Sequence, residues 1–195
     1  MILSIDEAAG RIAAGGVVAV PTDTVYGLAC DPRSADAVDR IYAIKLRPAD
    51  MELSLLGAGL DDLAACGALD DRARALAAAF WPGALSLIVP ARREAGLAVP
   101  RRGTTISLRV PDHETLRALA RRTGPLATTS ANRHGEPAAR MAADCEAAVG
   151  SDVDGVVDGL PGAGLASTII DLTEAPPRML RSGPITAEAL RPYLG

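Results

Sequence analysis

The 195-residue sequence predicts an α/β fold, and three observations lead there. Helix-like and strand-like patterns alternate along its length, the signature of helices layered on a sheet. The β-branched run Val17, Val18 and Val20, framed by Gly15-Gly16 and Pro21, reads as a buried strand. Thr105 to Val110 alternates strictly, with Ile106, Leu108 and Val110 on one face and Thr105, Ser107 and Arg109 on the other.

In chain order, Ser4 and Glu7 form the S-x-x-E pattern of a capping box, so a helix begins near Ile5 and ends at Gly15-Gly16. The central strand follows, and Pro21, which cannot donate to a sheet ladder, stops it. Just past its end stand Thr22, Asp23, Thr24 and Tyr26, with Gly27 leaving the backbone open to close approach. Ligand sites of α/β folds gather beyond strand ends. The same residues would equally suit a turn that satisfies only its own backbone. Ser34 caps a second helix bearing Val38, Ile41 and Tyr42, which runs out at Ile44 to Pro48. Arg47, preceding a proline, is expected to be extended, with Lys45 on its side. A short strand is expected at Leu53 to Leu56. A helix interrupted near Gly67 spans Asp61 to Phe80, Asp70 capping its second piece, and Trp81-Pro82-Gly83 turns into a strand from Ala84 to Val89. Arg92 to Arg102 reads as a mobile basic loop. After Thr105 to Val110, Asp112 is expected to cap a helix reaching Arg122. Strands follow at Leu126 to Thr129, Val153 to Val157, Ser167 to Leu172 and Met179 to Arg181, with a helix at Met141 to Val149.

Composition narrows the function. The chain is 49% hydrophobic but only 3% aromatic, which demands an aliphatic core, and its net charge of -4 gives no global attraction to polyanions. Cys30, Cys66 and Cys145 are far apart and odd in number, as in a reducing cytoplasmic setting, and two histidines do not make a metal centre. The apolar stretch Ile12 to Val20 is preceded by Asp6 and Glu7 rather than by positive charge, so no signal peptide or membrane association is expected. No linker divides the sequence, and a single domain over 1–195 is the expectation. GxxxxGK[ST] and GxSxG are absent, and the glycine-rich run at Gly162 to Ser167 misses GxGxxG at its last position. What remains is hydroxyls, an amide and cations at several strand ends: Thr24, Lys45, Arg47, Thr105, Arg109, Ser130, Asn132, Ser167 and Arg181. Such a set suits phosphoryl or nucleotidyl transfer, where positioning and charge stabilisation supply most of the rate.

PTDTVYGL, the K-x-R-P at Lys45 to Pro48, WPGALSLIVP, TTISLRVPDH, TTSAN, and STIIDLT followed by RSGPI occur in one order from about Gly15 to Pro184. In this the sequence resembles the YrdC-type threonylcarbamoyl-AMP synthase family. The resemblance implies a twisted, open sheet of mixed parallel and antiparallel strands with flanking helices around a large cavity. It implies a reaction in which L-threonine, bicarbonate and ATP, carried with Mg²⁺, give threonylcarbamoyl-AMP and pyrophosphate for tRNA modification. It places Thr24, Arg109 and Ser167 at threonine, and Arg47, Thr105, Thr128, Ser130 and Arg181 chiefly at ATP. Lys45, Arg47, Ser130 and Asn132 form the KxR and SxN signature. Three positions depart from the family pattern: Met51 and Leu56 stand for an Asn and a His, and Pro137-Ala138 lacks a hydroxyl. Two other readings fit the same residues: an RNA-binding module using the cavity's phosphate-seeking side chains, and a paralogue adenylating a different carbamate.

Overall fold

Ser4 accepts from the Glu7 N–H while the Glu7 carboxylate accepts from the Ser4 N–H, so the first helix starts where its capping box dictates. The computed structural model describes residues 1–46, 52–100, 103–133, 135–159 and 162–194. Along it run β1 (Ile2–Leu3), α1 (Ile5–Ala13), β2 (Val18–Val20), β3 (Gly27–Cys30), α2 (Ala35–Lys45), β4 (Ser54–Leu56), α3 (Leu60–Ala64) and α4 (Asp71–Phe80). Then come β5 (Leu85–Pro90), β6 (Thr105–Arg109), α5 (Glu114–Thr123), β7 (Leu126–Ser130), α6 (Ala142–Val149), β8 (Val156–Val157), β9 (Thr168–Asp171), β10 (Arg178–Arg181) and α7 (Ala187–Leu190).

The strands form one ten-stranded sheet in the order β1-β8-β2-β3-β7-β4-β6-β5-β9-β10. Pairing is parallel for β1/β8, β2/β8, β4/β6 and β5/β9, and antiparallel for the other neighbours, so the sheet is mixed. Among the described residues no helix is long and apolar enough to cross a membrane.

The two faces of this sheet are covered unequally, and that inequality makes the site. One face buries Leu28, Leu53, Leu55, Leu85, Leu87, Leu108 and Ile170 in a large aliphatic core that includes Ile41 of α2 and Leu76 of α4. The opposite face is apolar where α1 and α5 pack on it, through Val18, Val20, Ala29, Leu56 and Leu126, and at Ile88 and Ile169, which pair with Ser107 and Ser86. Beyond the helices a row of its outward positions changes to hydroxyls. Ser54 of β4 sits level with Thr128 of β7 and Ser107 of β6. Ser54 Oγ donates to Ser107 Oγ at 3.0 Å, and Thr128 Oγ1 donates to the Ser54 carbonyl at 3.1 Å. A period of two along each strand thus carries a row of small polar groups across the sheet.

Several expected boundaries shift, each for a local reason. Asp112 does not cap α5; His113 holds the extended N-cap conformation, its carbonyl takes the first helical bond from Arg117, and Asp112 faces Arg117 instead. Lys45 is not in an extended segment but closes α2, the chain turning afterwards at Leu46 with φ 51°. β8 keeps only Val156–Val157, because Asp154 turns away to accept from Val17 N–H and Arg40. The basic loop is not merely solvated: Val99 is buried, Arg92 donates to the Ala64 carbonyl and Ala98 N–H to that of Pro32. Arg101 and Arg102 lie outside the described residues. β2 is third from one edge, and β7 and β4 occupy the middle of the sheet. β1, β3 and α7 carry too short a pattern to have been anticipated.

Candidate active site

The hydroxyl-bearing face opens into a cavity of about 360 Å³, within the range of small-molecule sites. Of the residues expected at the site, Thr24, Arg109, Thr128, Ser130, Asn132, Ser167 and Arg181 line it. Thr105, at the far end of β6 opposite Pro90, does not, and neither does Lys45. Arg47 lies outside the described residues, as do Met51 and His134. The departures at Leu56 and Ala138 both form part of the wall. The cavity also takes in Thr22, already noted past the end of β2, and adds four residues that were not singled out for the site: Glu52, Ser54, Ser86 and Glu136. Ser54 and Ser86 fall within apolar strand patterns, where one hydroxyl in a strand carries no distinguishing signal.

Arg109 is the best-held charge here. It is only 4% exposed; its Nε donates to the Gly83 carbonyl at 2.8 Å, its Nη1 to Thr24 Oγ1 at 3.2 Å, and its Nη2 to the Asp23 carboxylate. Burial pulls its pKa below the ordinary arginine value, and the neighbouring Asp23 carboxylate opposes that pull. Guanidinium carries five N–H donors, so these three partners leave others for a carboxylate. Thr22 Oγ1 donates to the Val25 carbonyl at 2.7 Å, accepts from the Thr24 and Val25 N–H groups, and stands 2.9 Å from the Thr24 hydroxyl. Thr24 Oγ1 accepts from Arg109 and shares a hydrogen bond with the Thr22 hydroxyl. Arg181 donates through Nε to the Ser167 carbonyl at 2.7 Å and through Nη2 to Ser167 Oγ at 2.9 Å. Ser167 Oγ in turn pairs with Ser86 Oγ at 2.9 Å. Partial burial, and then the like charge of Arg109, lower the Arg181 pKa.

Lys45 and Asn132 divide the work differently from what their spacing suggests. Lys45 is 2% exposed beneath the cavity, its ammonium donating to the Ser130 carbonyl at 2.6 Å, the Asn132 carbonyl at 2.8 Å and Asn132 Oδ1 at 2.9 Å. The Asn132 amide nitrogen donates to the carbonyls of Arg133 at 2.9 Å and Glu136 at 2.6 Å. Its donors are therefore committed to the turn rather than offered jointly with Ser130 to a phosphate. Ser130 Oγ, 3.4 Å from Lys45 Nζ, remains on the cavity wall. Separate substitutions should accordingly have opposite effects. Ser130→Ala is expected to leave the melting temperature within a few degrees. It should lower turnover by roughly 100-fold, the scale of a lost charge-stabilising donor. Asn132→Ala should lower the melting temperature clearly, by exposing Lys45 to a missing acceptor. Melting curves and initial rates on the same preparations separate the two.

No nucleophile is prepared among the described residues. Burial pushes the thiols of Cys30 and Cys145 up to about 12 and raises that of Cys66, so all three stay protonated at neutral pH. Among the described residues no group of three His, Cys, Asp or Glu side chains could hold a metal ion.

Residues 11–183 match the Sua5/YciO/YrdC family, described under telomere recombination. The chain belongs to the Sua5/YciO/YrdC family. It is 38% identical over 193 residues to a putative threonylcarbamoyl-AMP synthase of Mycobacterium tuberculosis, covering 98% of this chain and 89% of that one. With the threonylcarbamoyl-AMP synthase of Bacillus subtilis it shares 37% identity over 98% of its own length, but it spans only 56% of that longer relative. Among solved structures, P. abyssi Sua5 complexed with L-threonine superposes with a TM-score of 0.89 at 35% identity, covering 98% of this chain and 57% of the other. E. coli YciO superposes at 0.86 with 26% identity, covering 97% and 92%. The mixed α/β sheet expected from the sequence is the fold of this family.

Proposed function

We propose that this family member is an L-threonylcarbamoyladenylate synthase, a nucleotidyltransferase that makes threonylcarbamoyl-AMP and pyrophosphate from L-threonine, bicarbonate and ATP. The observation that carries the reading is a buried, pre-oriented Arg109 on the wall of a hydroxyl-lined cavity that a second guanidinium, Arg181, also lines. Close resemblance over nearly the whole length of the M. tuberculosis relative supports it, as does the L-threonine in P. abyssi Sua5. The unit of 1–195 would then be one catalytic domain, acting in the cytoplasm and supplying an activated threonylcarbamoyl group for tRNA.

In this reading Arg109 takes the threonine carboxylate through its uncommitted N–H groups, and the Thr24 hydroxyl beside it faces the substrate. The amine bonds to the carbon of bicarbonate, whose C–OH bond breaks, and the hydroxide leaves with the amine proton as water, giving a carbamate. A carbamate oxygen then attacks the α-phosphorus of ATP, forming the P–O bond of the mixed anhydride as the bond to pyrophosphate breaks. Thr128, Ser130 and Arg181, with Arg47 beyond the described residues, serve the nucleotide. Mg²⁺ would enter with ATP as part of the substrate and offset the phosphate charge, at a wall made chiefly of hydroxyls with Glu52 and Glu136 as its carboxylates. Pre-aimed donors in a recessed site supply the rate without a protein nucleophile.

Pyrophosphate release should therefore require threonine and bicarbonate together, with threonylcarbamoyl-AMP as the nucleotide product by mass spectrometry. Full-rate release in bicarbonate-free buffer would overturn the carbamate route. Turnover with another amino acid but not with threonine would assign the chain to a paralogous reaction.

A further inference from the structure

The turn that follows Ser130 is tied to the end of α2 twice, in opposite directions. From α2, the Lys45 ammonium donates to the Ser130 and Asn132 carbonyls and to Asn132 Oδ1. From the turn, Arg133 donates back, through Nη1 to the Ile44 carbonyl and through Nη2 to the Asp152 carboxylate at 2.7 Å. Ile44 belongs to the last turn of α2, whose carbonyls have no helical partner. Leu46 N–H serves those of Tyr42 and Ala43, and Arg133 serves that of Ile44. A guanidinium at this position also meets the negative end of the helix dipole.

Asp152 has its own supports. Its N–H donates to the Val149 carbonyl at 2.9 Å, and its carbonyl accepts from Arg40 Nη2 at 2.9 Å. Arg40, on the body of α2, also forks onto the Asp154 carboxylate at 2.5 and 3.2 Å, and Asp154 Oδ2 accepts from Val17 N–H at 2.7 Å. A ring results: Arg40 of α2 grips the 152–154 segment, Asp152 grips Arg133, and Arg133 returns to α2. The Arg133–Asp152 pair adds little stability, because the two side chains are 33% and 36% exposed and water screens them. What it adds is direction. A single ammonium is a point about which a turn can rock, and a second anchor removes that freedom. Ser130, on the cavity wall, leads directly into this turn. A misplacement of about 1 Å at such a group can cost about 100-fold in rate.

We propose that Arg133 is a positioning residue for the nucleotide-transfer step: by clasping the Ile44 carbonyl and the Asp152 carboxylate it fixes the turn so that the Ser130 hydroxyl faces the cavity. Arg133 is not part of the cavity wall and acts through Ser130. The inference rests on the assignment of Ser130 to the nucleotide, and a measurement that needs no turnover keeps the two apart.

The test is a double-substitution cycle read by pyrophosphate release. Arg133→Met keeps an unbranched stem and removes every donor. It should lower kcat by about tenfold, leave threonine affinity within about threefold, and leave the melting temperature within a few degrees. In a Ser130→Ala background the same substitution should cost less than about threefold, because no hydroxyl remains to be misplaced. Asp152→Asn leaves the Arg40 bond to the backbone in place; it should lower kcat by about threefold or more and add little to Arg133→Met. Unchanged turnover in Arg133→Met overturns the proposal, as does a lowered melting temperature with a normal rate per folded molecule. A full tenfold loss in both backgrounds also overturns it, since Arg133 would then act other than through Ser130. Should Arg133→Met not fold, Asp152→Asn with and without Ser130→Ala decides by the same comparison. Wild-type protein that releases no pyrophosphate with threonine, bicarbonate and ATP would refute the functional reading itself. Hydrogen exchange then still decides the clasp: Arg133→Met should speed exchange of the Asn132 amide by at least about tenfold, and an unchanged rate would refute it.

Discussion

Lys45→Met should cost the protein its fold before it costs a substrate contact. Methionine matches the stem of lysine but cannot donate, so the Ser130 and Asn132 carbonyls and Asn132 Oδ1 lose their shared partner. The Ser130 carbonyl keeps the Asn132 N–H, while each of the two Asn132 acceptors left without its charged donor costs about 1–3 kcal/mol. For a chain of this length that corresponds to a fall in melting temperature of about 10 °C. Turnover should fall with it, because the same turn holds Ser130 at the cavity. Thermal melts and initial rates on one preparation check both. A normal melting temperature with lost ATP affinity would return Lys45 to the direct phosphate role that its K-x-R spacing suggests.

Arg109→Ala should weaken threonine binding by about 2–4 kcal/mol, on the order of 100-fold, because a desolvated charge-assisted pair is lost. ATP affinity should change by no more than about threefold, since the nucleotide is assigned to Thr128, Ser130 and Arg181. Arg109→Lys should not rescue the loss. An ammonium is a point charge and cannot satisfy the Gly83 carbonyl, Thr24 and Asp23 while also forking onto a carboxylate. Calorimetry with each ligand tests the division, and equal losses for threonine and ATP would abolish it.

The KxR and SxN signature shows where reading by spacing stops. Lys45 and Asn132 were legible as a polar pair of residues near strand and helix ends, yet their direction was not. Spacing sets Lys45 beside Arg47 at the end of a helix; whether its ammonium reaches into the cavity or back onto a turn depends on β7 lying where α2 can reach it. Asp23 stood in plain view beyond the β2 end, but its partner lies 86 positions away, and no local pattern announces such a pair.

Local chemistry by itself determined the capped helices α1, α2 and α4, the alternation of β6, the arrest of β2 at Pro21, and the gathering of hydroxyls past strand ends. These are properties of short stretches, set by hydrogen-bonding side chains, backbone restriction and a period of two. Register and layer coverage were decided only in three dimensions. The pairing of β4 with β6 and β7 aligned Ser54, Ser107 and Thr128, and the reach of α1 and α5 left that row uncovered. A serine in an apolar strand looks alike whether a helix covers it or a cavity opens over it. The distinction is made by contacts between residues distant in the chain.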